Sequence, residues 1–106
     1  MISQQRLEKA LVFLAETDEP IAEAKGEIQR LENLIKRVNY RLFLSASGSV
    51  EARKAEAGRS EETARLEEEL VSATVKYEQL KAKRETESTV IDVFRTLESS
   101  RRKGTI

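Results

Sequence analysis

Residues 21–42 read IAEAKGEIQRLENLIKRVNYRL. Ile21, Ile28, Ile35 and Leu42 stand seven residues apart, and Ala24, Leu31 and Val38 follow three residues after the first three of them. These are the a and d positions of heptads, which place one apolar stripe along a helix. Leu7 and Leu14 extend the first row toward the N-terminus, and Ala10 and Thr17 extend the second, so the phase holds from Leu7 to Leu42 without a skip. A second series runs Leu66, Leu70, Ala73, Tyr77, Leu80, Arg84, Glu87, Ile91, Phe94, with steps alternating four and three.

Between the series lies SASGSVEARKAEAGRS, residues 45–60, whose one large apolar residue is Val50. Gly48 and Gly58 are suited to end a helix, and Ser49 and Ser60 to cap one. The stretch reads as the connection at a hairpin tip, with a short helical turn from Val50 to Ala57. Helices joined this way run antiparallel. The expectation is an all-α fold: an antiparallel coiled-coil helical hairpin forming a single helical domain over 1–106. Matching large seam residues against small ones gives partner numbers that sum to about 108. Leu42 then faces Leu66, Val38 faces Leu70, Ile35 faces Ala73 and Leu14 faces Phe94. Arg84 faces Ala24 and Glu87 faces Ile21, two polar residues that set register at a cost in stability.

Pro20 interrupts the first arm. In ETDEPIAEA, Asp18 reads as an N-cap and Pro20 as a first-turn residue. The elements expected are a helix over about 3–16, a break or kink at Thr17–Pro20, a helix over about 19–45, the tip connection over 45–60 and a long helix over about 60–103. A first helix folded back into a three-helix bundle is the rival arrangement. Leu11, Val12 and Phe13, and Val90, Val93 and Leu97, lie off the seam. Two helices cannot cover both faces, so a homodimer joined near the termini is expected, with Leu11, Val90, Val93 and Leu97 at the oligomer interface.

Composition narrows the chemistry. The 106 residues contain no His, no Cys and no Trp, one Pro, four Gly, and 36% charged residues. Imidazole and thiolate chemistry are therefore excluded, as are disulfides. The glycines stand alone at 26, 48, 58 and 104, which leaves no phosphate-cradling loop. The run Glu67–Glu69 reads as a solvated helix face, and Glu32–Lys36 and Glu61–Arg65 have the order that supports a helix. No enzyme, metal, cofactor or small-molecule substrate is expected. No apolar run approaches the ~18 residues of a membrane span, and MISQQRLEKAL lacks the features of a signal peptide, so a cytoplasmic protein is expected.

The 19 basic and 19 acidic residues cancel, but they are segregated. Residues 36–59 carry six basic and two acidic side chains, and residues 81–106 carry seven and four. The tip supplies Lys36, Arg37, Arg41, Arg53 and Lys54, beside an acidic stretch that offsets much of the charge. The terminal end supplies Arg95, Arg101, Arg102 and Lys103. In ESSRRKG, residues 98–104, basic side chains complement the helix dipole and Gly104 takes the left-handed C′ position. Three cations exceed what the dipole uses. Arg101, Arg102, Lys103 and Arg95 are therefore the candidate phosphate contacts, for weak, sequence-independent DNA binding.

FLAETDEP (13–20) and VIDVFRTLESSRRKG (90–104) together resemble small helical proteins of tailed phages and prophages, encoded among recombination and replication genes. The resemblance implies an accessory factor in phage DNA metabolism, working on an unidentified protein partner such as a recombination or replication protein or a host nuclease. It carries over no catalytic or binding residue.

Overall fold

The computed structural model describes residues 1–104. Among them the chain forms three helices and no strand: α1 (Gln4–Ser45), α2 (Val50–Gly58) and α3 (Glu61–Gly104). The polar ends form as the sequence dictates. The hydroxyl of Ser3 accepts from Arg6 N at 3.0 Å and starts α1. Ser49 caps α2 by accepting from Ala52 N, and Ser60 caps α3 by accepting from Thr63 N. Each satisfies one of the amides a helix start leaves without an intrahelical partner. Gly48 makes the turn between α1 and α2 at φ 103, a conformation open to glycine and strained for a residue with a side chain.

Contacts divide the chain into two compact units. One joins Met1–Ala22 with Glu78–Ile106, and the other is Glu23–Tyr77. In the second unit α1 and α3 lie antiparallel around Leu31, Val38 and Leu66, with Leu34, Ile35, Leu42, Leu70 and Ala73 packed against them. Asn39 Oδ1 accepts from Thr63 Oγ1 at 3.0 Å, and Arg41 pairs with Glu62 at 2.6 Å. α2 buries Ala57 and sets Arg53 over the Phe43 ring, 5.7 Å from its centroid. In the first unit the helices are again antiparallel. Arg6 reaches Glu87, while Asp18, twelve residues further along α1, reaches Arg84. Ala10 is fully buried there.

Every a and d position named above, on both series, is buried or half-buried. The heptad rows are the covered faces of the helices. Their register, however, differs from the expected one. Matching to a sum of 108 sets Thr17 against Ile91; Thr17 instead bonds to Arg84, seven residues earlier. Thr63, not Leu70, comes to the neighbourhood of Val38 and Asn39 and is buried there. Both units thus show the same slip of one heptad. A seven-residue slip keeps both apolar rows on the seam, so hydrophobic pattern alone does not separate the two registers.

Of the break or kink expected at Thr17–Pro20, the break is absent. α1 is one helix of 42 residues with Pro20 inside it, and Asp18 is a helical residue, not a cap. A proline lacks the amide that would bond to the carbonyl four residues back and crowds that carbonyl. Two features offset this. The apolar stripe stays in phase across Pro20, so packing favours a continuous helix. Arg84 also binds the turn just before the proline, as described next. With α1 continuous, the folded-back first helix is not formed. At the other end, Gly104 is still helical and does not adopt the left-handed conformation expected of it.

Candidate functional site

The densest polar arrangement stands in the first unit. Arg84 Nη1 donates to the Leu14 carbonyl at 2.9 Å and to Thr17 Oγ1, and its Nη2 donates to Asp18 Oδ1 at 2.8 Å. The Thr17 hydroxyl in turn donates to the Phe13 carbonyl at 2.7 Å. The Arg84 side chain is 22% exposed and that of Asp18 70%. One turn along α3, Glu87 meets Arg6: Nη2 donates to Oε1 at 2.8 Å and stands 2.6 Å from Oε2, in ion-pair range but outside hydrogen-bond geometry. The arrangement ties helix to helix. Each charged group in it is engaged by another protein group.

The basic residues are distributed as follows. Arg95 and Arg101 line an open groove of about 520 Å³ with Gln4, Phe94, Glu98 and Arg102. Glu98 accepts from Arg101 at 3.1 Å, so one candidate phosphate ligand is partly neutralised by its own helix. Lys103 is exposed in the last turn of α3. At the tip, Arg41 is tied to Glu62. Lys36 and Lys54 line one groove with Asn39, Tyr40 and Phe43, and Arg53 lies over Phe43. Lys36, Arg37 and Lys54 are exposed and hold no ion pair among the described residues.

The candidate interface residues divide between two faces. Leu11 stands one heptad before Asp18, on the flank where Arg84 crosses to α1. Phe13 stands one heptad after Arg6, on the opposite flank, where Arg6 meets Glu87. Val90 is three residues after Glu87, and Val93 and Leu97 continue its row. In an antiparallel pair this row borders the Phe13 flank, so Leu11 does not share a surface with Val90, Val93 and Leu97. Val93 and Leu97 are 42% and 41% exposed, Leu11 50%.

Further along, in the second unit, Glu27 and Arg30 form an exposed pair one turn apart. The hydrogen bond from Arg30 holds the Glu27 carboxyl below its ordinary value, and the guanidinium is correspondingly raised. Among the described residues no group of three acidic side chains is placed to hold a metal ion, and no helix is long and apolar enough to cross a membrane. No family model matches the chain, and no curated protein or solved structure matches it.

Proposed function

We propose that this protein is a non-catalytic interaction module, a coiled-coil helical hairpin that associates with a second copy of itself and docks on a partner protein. One observation carries the reading. The chain exposes 8052 Å². A compact monomer of its mass, 12.0 kDa, exposes about 6,000 Å² by the usual surface scaling. The excess of roughly 2,000 Å² is more than the ~800 Å² that each partner buries in a standard protein–protein interface. Among the described residues of the first unit Ala10 is the one buried hydrophobic residue, while Val93 and Leu97 are exposed on a flank of the seam. Such a row is what a second helical pair covers.

The absence of His and Cys from the sequence supports the non-catalytic part of the reading. The resemblance to phage and prophage proteins points to a docking partner in DNA recombination or replication, or to a host nuclease, and to a bacterial cytoplasm as the site of action.

Sedimentation velocity at micromolar concentration tests the self-association. The wild type is expected to sediment as a dimer. Val93→Glu with Leu97→Glu is expected to give a helical monomer, and Leu11→Glu to leave the dimer intact. A wild-type monomer at that concentration overturns the self-association. A dimer that survives the Val93/Leu97 double change but is lost with Leu11→Glu moves it to the other face.

A further inference from the structure

We infer that the tip of the second unit binds single-stranded nucleic acid, with Tyr40 as the stacking platform and Lys36, Arg37 and Lys54 as phosphate contacts. Tyr40 lies on the side of α1 away from Leu31, Val38 and Leu42, and it is 65% exposed. Folding draws little from a ring so placed. α2 builds the opposite wall of a groove of about 420 Å³ lined by Lys36, Asn39, Tyr40, Phe43, Lys54, Ala57 and Gly58. Arg53 rests on the Phe43 ring, its Nε shielded from solvent and without a hydrogen-bond partner.

The charge pattern distinguishes this site from the terminal one. The acidic stretch at the start of α3 leaves most of the tip charge in place: of the tip cations only Arg41 is taken into an ion pair among the described residues, by Glu62. Lys36 is one turn before Tyr40, Arg37 is three residues before it, and Lys54 faces it across the groove. Glu51 and Glu56 are the acidic residues of α2, and neither lines the groove. An exposed ring beside three such cations suits a polymer that alternates flat bases with phosphates. A duplex hides its base faces within the stack, so it would use the cations without the ring. An acidic polypeptide would do the same.

Fluorescence anisotropy of a labelled oligothymidylate, at low and at moderate salt, tests the site with the intact chain. Binding is expected at low salt, stronger than to a duplex of the same length, and falling steeply as salt rises. Tyr40→Ala is expected to weaken it roughly fivefold to a hundredfold, and Tyr40→Phe to retain it. Lys36→Gln with Lys54→Gln is expected to flatten the logarithmic salt slope by about 0.7 for each phosphate that the variant no longer neutralises. Changing Arg101, Arg102 and Lys103 together to Gln is expected to leave affinity unchanged. All of these side chains are exposed, so circular dichroism should show unaltered helix content. The assignment is overturned by absence of binding at low salt. It is equally overturned if Tyr40→Ala binds as the wild type does, if polyglutamate competes as well as unlabelled oligonucleotide, or if the terminal triple change abolishes binding.

Discussion

Arg84 of α3 binds Asp18 of α1 at 2.8 Å, and the same guanidinium reaches the Thr17 hydroxyl and the Leu14 carbonyl. The contact therefore fastens the helical turn that ends just before Pro20. Its strength lies in the two less exposed bonds, because a surface ion pair such as that to Asp18 adds at most about 1 kcal/mol. Arg84→Met keeps the apolar stem and removes the bonds. It is expected to lower stability by ~1–3 kcal/mol in urea unfolding. Arg84→Lys should recover only part, since an ammonium cannot span three acceptors in a fork. Equal stability of the wild type and Arg84→Met would show that the bonds contribute nothing net.

Pro20 gives the complementary test. Inside a helix a proline costs ~3 kcal/mol relative to alanine, less what it gains by stiffening the unfolded chain. Pro20→Ala should therefore stabilise the protein by ~2 kcal/mol and raise its helix signal. A helix that began at Pro20 would respond in the opposite sense, because proline is favourable in a first turn. The sign of the change decides between a continuous α1 and two helices.

The register is open to cross-linking. Cysteines replacing Asn39 and Thr63, whose side chains meet at 3.0 Å, should join under mild oxidation. Cysteines replacing Val38 and Leu70, which face each other in the register read from the sequence, should not. More efficient joining of the second pair would restore the register read from the sequence.

That slip shows what the sequence can and cannot convey. The rows Leu7–Leu42 and Leu66–Phe94 are legible because heptad phase over such length has few alternative readings. The caps at Ser49 and Ser60 and the turn at Gly48 are legible because each rests on local chemistry. Register is not, since moving one helix by seven residues keeps apolar side chains opposite apolar side chains. The choice falls to a few polar residues: Arg84 beside Thr17 and Asp18, and Thr63 beside Asn39. The continuity of α1 is hidden for a related reason. The local signal at Asp18–Pro20 is a stop, and the Arg84 contact that counters it exists only in the slipped register. The Tyr40 groove depends on where α2 folds, which a sequence with a single large apolar residue between 45 and 60 leaves open.

Acid titration should single out Glu27. Its carboxyl is held below the ordinary value by the Arg30 hydrogen bond. A depressed folded-state value means that the pair contributes stability above the ordinary carboxylate value and loses it as the pH falls through the lower, folded value. Both groups are exposed, so the contribution to unfolding free energy is small. The observable is the carboxyl resonance of Glu27, whose midpoint should lie below the ordinary value and return toward it in Arg30→Gln. An unchanged midpoint in that variant would place the cause elsewhere.

The glycines supply the last prediction, through two substitutions of opposite sign. Gly26 is helical, within α1, and a methyl group added there meets nothing within 4 Å. Glycine in a helix costs ~0.5–1 kcal/mol relative to alanine, through the backbone freedom it loses on folding. Gly26→Ala should therefore stabilise by about that amount. Gly48 sits at φ 103 and an added methyl would stand 3.4 Å from Ala52 Cβ. The space is ordinary, so the penalty comes from the backbone, which an L side chain strains at positive φ. Gly48→Ala should destabilise by ~1 kcal/mol or more, or shift the turn and with it the seating of α2. Because Arg53 reaches Phe43 only when α2 is seated, Gly48→Ala should also alter the near-ultraviolet signal of the aromatic residues around the tip. Gly26→Ala should leave that signal as it is. A destabilising Gly26→Ala would mean that residue 26 is not in an unobstructed helix, and a neutral Gly48→Ala would mean that the turn reaches α2 by a different backbone path.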